Sequence, residues 1–259
     1  MEKATLNIDE EWARAKKPFR FFGPCSAESL IQLKETAAGI AKYYPETIFR
    51  AGVWKPRTRP NSFEGVGEEA LEWLKEIKQE FGFKIAIEVA NAQHLEKALE
   101  AGIDILWIGA RTTVNPFSVQ AIADGLKGVD IPVFVKNPIN PDLSLWMGAL
   151  ERINKAGISQ LGAIHRGFHL RDNGPYRNYP YWSLAVQLKA EFPNLPIVCD
   201  ASHISGKPSL IPQVSQKAYD LDMDGIMIET HHNPTAALSD KEQQLTPEQL
   251  HDVLTKLIR

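Results

Sequence analysis

The chain has 259 residues, 44% hydrophobic and 24% charged, with a formal net charge of −3, a globular composition that excludes bulk electrostatic binding of nucleic acid. No apolar run approaches the roughly 20 residues of a membrane helix, and the N-terminus lacks the apolar stretch of a secretion signal. Cys25 and Cys199 are the only cysteines, too few for a disulfide framework, so a cytoplasmic, reducing setting is expected. Residues 1–18 are polar and charged without clear period, and read as an extension or a short helix. From Phe19 onward a rhythm begins. Phe19 to Phe22 is a strand closed by Gly23-Pro24-Cys25-Ser26, and Glu28 to Tyr44 follows with helical spacing of Leu30, Leu33, Ala37, Ile40 and Ala41. Ile48 to Val53 is the second strand, followed by a helix from about Glu68 to Phe81. Strands at Ile85–Ala90, Ile105–Ala110, Pro132–Lys136, Leu161–Arg166, Ile197–Asp200 and Gly225–Thr230 come next. Their helices are expected at Gln93–Ala101, Pro116 to about Leu126, Leu143–Ala156, Trp182–Phe192, from near Ser209, and Pro247–Ile258.

These strands are short and continuously apolar, as strands buried on both faces of a parallel sheet should be. Eight strand–helix units in one chain of this length predict a single α/β domain, a (β/α)8 barrel over residues 19–259. A doubly wound open sheet is the runner-up. The barrel is favoured because a reactive side chain stands at the C-terminal end of every strand: Cys25, Arg50 with Lys55, Glu88, Arg111, Lys136, His165 with Arg166, Asp200 with His203, and Glu229. Barrel enzymes build their site at that face, whereas an open sheet would spread these groups along an edge.

Two constellations follow. Arg50, Lys55, Arg57 and Arg59 crowd the second strand and the loop leaving it, with no acid between Glu46 and Glu64. Such cations repel one another unless anions hold them, so a pocket for phosphate or carboxylate is expected. Arg111, Lys136 and Arg166 join them at the same mouth, and with Arg57 and Thr58 the set suits two phosphorylated ligands. Glu88 either orients water or pairs with one of these cations. The second constellation is Cys25, His203, Glu229 and Asp240. A thiolate, an imidazole and two carboxylates from neighbouring strand ends suit a divalent Mn, Fe, Co or Zn ion. Gly65-Val-Gly-Glu-Glu-Ala70 is not a dinucleotide loop, because no strand precedes it and two glutamates stand where pyrophosphate would lie. The tryptophans read as packing rather than as a stacking platform.

Gly23-Pro-Cys-Ser26, Arg50 through Lys55-Pro-Arg-Thr58, Gly109-Ala-Arg-Thr-Thr113, Val135-Lys-Asn-Pro138, His165-Arg-Gly167, Asp200-Ala-Ser-His203 and Glu229 through Leu238-Ser-Asp240 together resemble 3-deoxy-D-arabino-heptulosonate 7-phosphate synthase. The resemblance runs from about Phe19 to the C-terminus, in the branch related to 3-deoxy-D-manno-octulosonate 8-phosphate synthase. It implies a metal-dependent transferase that condenses phosphoenolpyruvate with erythrose 4-phosphate, the entry to the shikimate pathway and aromatic amino acids. The octulosonate synthase is the alternative, but that sister family carries Lys-Ala-Asn-Arg-Ser where this chain has Lys55-Pro-Arg-Thr58. A non-catalytic phosphosugar-binding barrel is the reading from another class, and the metal set speaks against it. The resemblance implies Cys25, His203, Glu229 and Asp240 as metal ligands. Arg50, Lys55, Arg111, Lys136 and Arg166 would hold phosphoenolpyruvate, Arg57 and Thr58 the aldose phosphate, and Lys55 would donate the proton. It further implies a homo-oligomer, dimer or tetramer, and a chorismate mutase as fused domain or partner. No nucleic acid or membrane partner is expected, and the short extension leaves no room for an amino-acid-sensing domain.

Overall fold

Short apolar runs bounded by turn residues form the strands, and each is followed by an amphipathic helix that covers it. The structure, a computed structural model, describes residues 5–55 and 63–258. Strands Phe19–Gly23 (β1), Ile48–Arg50 (β2), Lys84–Val89 (β3), Ile105–Ile108 (β4), Val133–Lys136 (β5), Leu161–His165 (β6), Ile197–Asp200 (β7) and Gly225–Glu229 (β8) pair in chain order. Every pairing is parallel, and β8 returns to β1 through Gly225–Phe19 to Glu229–Gly23, which closes the barrel. The open-sheet alternative is thereby excluded.

Helices Leu30–Ala41, Glu69–Phe81, Ala92–Glu100, Pro116–Gly125, Leu143–Lys155, Trp182–Glu191, Ile211–Asp220 and Pro247–Leu254 form the outer ring. Ser29, Asn91, Asn115, Asp142 and Thr246 cap helix starts by accepting backbone N–H groups that have no partner inside the helix. The capping role of Ser29 explains why the first of these helices begins at Leu30 rather than Glu28. The second strand is also shorter than expected. After Arg50 the chain leaves the ladder and bridges Gly52 to Ser26, so the basic loop starts inside the barrel mouth. Short helices Ala110–Thr113 and Ala201–Ser205 sit at the ends of β4 and β7; both are too brief to show periodicity in sequence. The N-terminal segment does contain a short helix, Glu10–Ala15.

Strand alternation sorts the side chains into two cores. Phe22, Phe49, Ile87, Leu106, Ile108, Val135 and Ile228 point out against the helices. Phe19, Phe21, Ala86, Ile105, Trp107, Phe134, Ile164, Val198 and Met227 fill the lumen. Gly162 faces the Phe134 ring, and any side chain at 162 would run into it. Trp12, from the N-terminal helix, closes the bottom, with ring centroids 5.3 Å from Phe19 and 6.0 Å from Phe134. Among the described residues no helix is long and apolar enough to cross a membrane.

Candidate active site

The same alternation, continued one step toward the C-terminal ends, places Arg50, Glu88, Lys136, Asp200 and Glu229 on the inward parity above the aromatic lumen. Burial of so many ions demands partners, and they supply one another. Arg50 Nη1 lies 3.0 Å from Glu229 Oε1, and Lys136 Nζ lies 2.7 Å from Asp200 Oδ2. Trp107 forms a floor beneath these two cations. The Arg50 guanidinium sits 5.0 Å and the Lys136 ammonium 5.6 Å from its ring centre, where the negative π face attracts them. The Trp107 indole N–H donates to Glu88 Oε2 at 2.8 Å, so a tryptophan orients this carboxylate. Trp107 packs in the lumen as expected, and its ring face and N–H serve the ions above it as well.

The thiol and the carboxylates converge beside this layer. Ligand atoms of Cys25, Glu229 and Asp240 all lie within 4.8 Å of one another. Cys25 Sγ is 3.4 Å from Asp240 Oδ2, and Lys55 Nζ is 2.9 Å from that sulfur and 2.6 Å from the Cys25 carbonyl oxygen. Lys55 reaches this position because residue 52 is glycine: a Cβ there would lie 2.8 Å from the ammonium. His203 completes the rim. Its Nδ1 is 2.9 Å from Asp200 Oδ2, and since a carboxylate only accepts, Nδ1 carries the proton. Nε2 is left with its lone pair, 3.9 Å from Glu229 Oε1. A carboxylate fixing the tautomer of a ligating histidine is the usual arrangement at metal sites.

The electrostatics fit a cation at this point. Burial, then Glu229, push the Cys25 thiol up to about 12, against the opposing pull of Lys55 and Arg50. Burial also works to raise the pKa of Glu229 and of Asp240, but the guanidinium of Arg50 beside the first and of Arg177 beside the second outweighs it and keeps both ionised. Burial holds His203 below its ordinary value, so the imidazole is neutral and able to donate a lone pair. A protonated thiol between two buried carboxylates is what a divalent ion would reverse, since a coordinating thiol loses its proton outright. The donor set thus fits a borderline divalent metal held by Cys25, Glu229 and Asp240 with His203 alongside.

The remaining expected residues fall into two groups. Arg166 is held by Asn178, 2.8 Å away; burial lowers it to about 10, and Arg177 and Arg111 act in the same direction against Asp200 and Glu88. That mutual influence places Arg111 and Arg166 in the field of the same mouth. Arg57 and Thr58 lie outside the described residues. His165, by contrast, does not join the site. It takes the outward parity of β6 and is buried beside Trp146, Phe168 and Trp182, the last 5.2 Å away between ring centres. Its neighbour Arg166 faces the mouth because adjacent strand residues point to opposite sides.

Fold and site together define a class: a (β/α)8 enzyme whose mouth gathers cationic side chains beside a thiol–carboxylate cluster. The chain belongs to the DAHP synthetase I family, which matches over residues 13–258. It is 30% identical to the phospho-2-dehydro-3-deoxyheptonate aldolase of Thermotoga maritima, over 91% of this chain and 67% of that protein. It is 28% identical to the 2-dehydro-3-deoxyphosphooctonate aldolase of Helicobacter pylori, over 95% of this chain and 96% of the relative. The crystal structure of the Thermotoga maritima DAHP synthase superimposes with a TM-score of 0.82 at 30% identity, covering 92% of this chain and 67% of that one. A truncated form of the Thermotoga enzyme gives 0.79 at 27% identity, covering 92% and 84%.

Proposed function

We propose that this chain is a 3-deoxy-7-phosphoheptulonate synthase, a transferase that joins phosphoenolpyruvate to erythrose 4-phosphate and releases phosphate. The observation that carries the reading is the Lys55 ammonium 2.9 Å from the Cys25 sulfur, inside a cluster of one thiol and two carboxylates and bordered by Arg50 and Lys136. A divalent ion held by Cys25, His203, Glu229 and Asp240, with Mn, Co, Fe or Zn all suited to the donors, would supply Lewis-acid polarisation of the aldehyde oxygen. The protein's own groups do the rest. Arg50, Arg111, Lys136 and Arg166 bind the phosphate and carboxylate of phosphoenolpyruvate, and Arg57 and Thr58 take the aldose phosphate. Holding two anions face to face, which they would resist in water, is a large part of the catalysis. The methylene carbon of phosphoenolpyruvate then forms the new bond to the aldehyde carbon, and Lys55 gives a proton to the resulting alkoxide. Water adds at carbon two, and the hemiketal phosphate collapses to the keto acid and inorganic phosphate.

The sister activity on arabinose 5-phosphate is the second reading, favoured by the full-length match to the Helicobacter pylori protein. Phosphate release from phosphoenolpyruvate with each aldose phosphate separates the two. We expect kcat/KM for the four-carbon sugar to exceed that for the five-carbon sugar by at least tenfold; parity or reversal transfers the assignment to the sister enzyme. The reading includes a cytoplasmic homo-oligomer, dimer or tetramer, together with a chorismate mutase as partner or fused domain. Light scattering of the purified chain checks the first, and co-purification with a chorismate mutase the second.

A further inference from the structure

Two side chains with no role so far stand directly behind the cluster. Gln243 ends the turn Lys241–Gln243 that leaves Asp240 and Gln244 follows it, and both are buried, 1% and 2% exposed. A buried amide must satisfy its donors and its acceptor. Gln243 Nε2 donates to Glu229 Oε2 at 2.6 Å, and its Oε1 accepts from Arg177 Nη1 at 2.5 Å. That same Arg177 nitrogen lies 3.2 Å from Asp240 Oδ1. Gln244 Oε1 accepts from the Cys25 backbone N–H at 3.0 Å, and its Nε2 donates to the Ser239 carbonyl oxygen at 2.9 Å.

The orientation of Gln243 is dictated by its partners. A guanidinium only donates and an ionised carboxylate only accepts, so the amide cannot flip without losing both bonds. Each glutamine therefore ties together segments that surround the cluster. Gln243 links β8, through Glu229, to the long loop after β6 that carries Arg177, and through Arg177 to Asp240. Gln244 links the turn after β1 to the loop after β8. Those ties matter because Asp240 occupies the left-handed backbone region, φ 47°, a conformation an aspartate keeps only when its surroundings over-determine it. Glu229 is fixed on its other oxygen by Arg50, so with Gln243 in place neither oxygen is free to swing.

We propose that Gln243 and Gln244 are positioning residues for the metal ligands: Gln243 couples Glu229 through Arg177 to Asp240, and Gln244 ties the Cys25 turn to the loop bearing Asp240. The inference deepens the metal-dependent reading above and rests on it.

The experiment loads Co(II) into the metal-free full chain and follows the near-ultraviolet thiolate-to-cobalt band together with binding by chelator competition. Gln243→Met and Gln244→Met keep side-chain length while removing the amide; Gln243→Asn keeps the amide but is too short to span both partners. Outer-shell partners of this kind contribute roughly 10- to 100-fold in metal affinity. The expected result for Gln243→Met and Gln243→Asn is a loss of Co(II) affinity in that range, a weakened or shifted thiolate band, and a lower kcat at saturating metal. The KM for phosphoenolpyruvate should stay within about twofold of the parent, because the anion-binding cations are untouched. Gln244→Met should show the same pattern with the band more affected than kcat, since it acts on the Cys25 turn. The unfolding midpoint of the metal-free variants is recorded alongside. Affinity and band unchanged within twofold in the Met variants would overturn the proposal. So would collapse of the metal-free fold in all three, which would make the amides servants of the fold alone. Absence of the band in the parent chain would instead remove the metal reading itself, and this inference with it.

Discussion

The two ends of the barrel are built from the same strands on opposite principles. At the bottom, Trp12, Phe19, Phe21 and Phe134 pack ring against ring, with Phe19 and Phe21 edge-on to Phe134 at 5.4 and 5.1 Å. At the top, the inward position at the end of five strands, β2, β3, β5, β7 and β8, is an ion: Arg50, Glu88, Lys136, Asp200, Glu229. The bottom is stable by itself, because apolar burial needs no partner of particular charge. The top is stable only as a set, because each ion answers for another's desolvation. A cleft of about 650 Å³ does open at the bottom, between Trp12, Tyr43, Tyr44 and Lys84, but it contains no member of the thiol–carboxylate cluster. The contrast teaches that depth and cavity size do not locate this site; mutually dependent buried charges do.

The comparison is tested most severely at Cys25. Cys25→Ala removes the thiolate donor, and turnover measured as phosphate release with added Mn should fall on the order of 10³-fold, about 4 kcal/mol. Retained turnover would detach the chemistry from the cluster. Next comes Asp200→Asn, which leaves the Lys136 ammonium buried without its counter-ion. Urea unfolding should report a loss of about 3 kcal/mol, with turnover reduced as well, since one change disturbs both stability and site. A drop below 1 kcal/mol would mean the top layer is less interdependent than its geometry says.

At the other end, Trp12→Ala should cost about 2 kcal/mol of unfolding free energy, less than a fully buried aromatic because Trp12 is only half-buried. Turnover per folded molecule should stay within twofold. If turnover fell as in the Cys25 variant, the two ends would not be independent.

The smallest effect concerns His165. Burial lowers its pKa from 6.5 to about 3, so between those values the unfolded chain binds a proton that the folded chain does not. Its contribution is whole above pH 6.5 and is lost as pH falls toward 3, with a slope of at most about 1.4 kcal/mol per pH unit. His94, His203 and His232 are lowered too, so the measurement is a difference. Urea unfolding of parent and His165→Leu between pH 6.5 and 5 should give a shallower decline in the variant. Equal slopes would show that His165 does not titrate with unfolding.

Much of this molecule is legible in its sequence, for reasons that are local. Apolar runs of four to six residues separated by amphipathic helices name a parallel α/β fold, because each period answers to the backbone geometry beneath it. The identity of the charged residues at the strand ends is equally plain. Parity was not readable, because the strands are apolar on both faces: only the barrel shows that Ile164 fills the lumen, so that Arg166 two places on shares its side and His165 does not. What a single strand cannot state is which ion faces which. Arg50 meets Glu229 across 179 positions of chain and Lys136 meets Asp200 across 64, and those pairings exist only because the barrel closes. Gln243 and Gln244 carry no motif of their own; two glutamines before Leu245 look like any polar turn until Glu229, Arg177 and Cys25 are brought around them. The sequence by itself determined the kind of strand, the order of units and the inventory of donors, since these depend on side-chain type and near-neighbour spacing. Only the tertiary structure decided that Cys25, Glu229 and Asp240 share a space 4.8 Å across and that Lys55 points into it. The physical reason is that closure converts separation along the chain into adjacency around an axis, and buried charges choose their partners by distance in space.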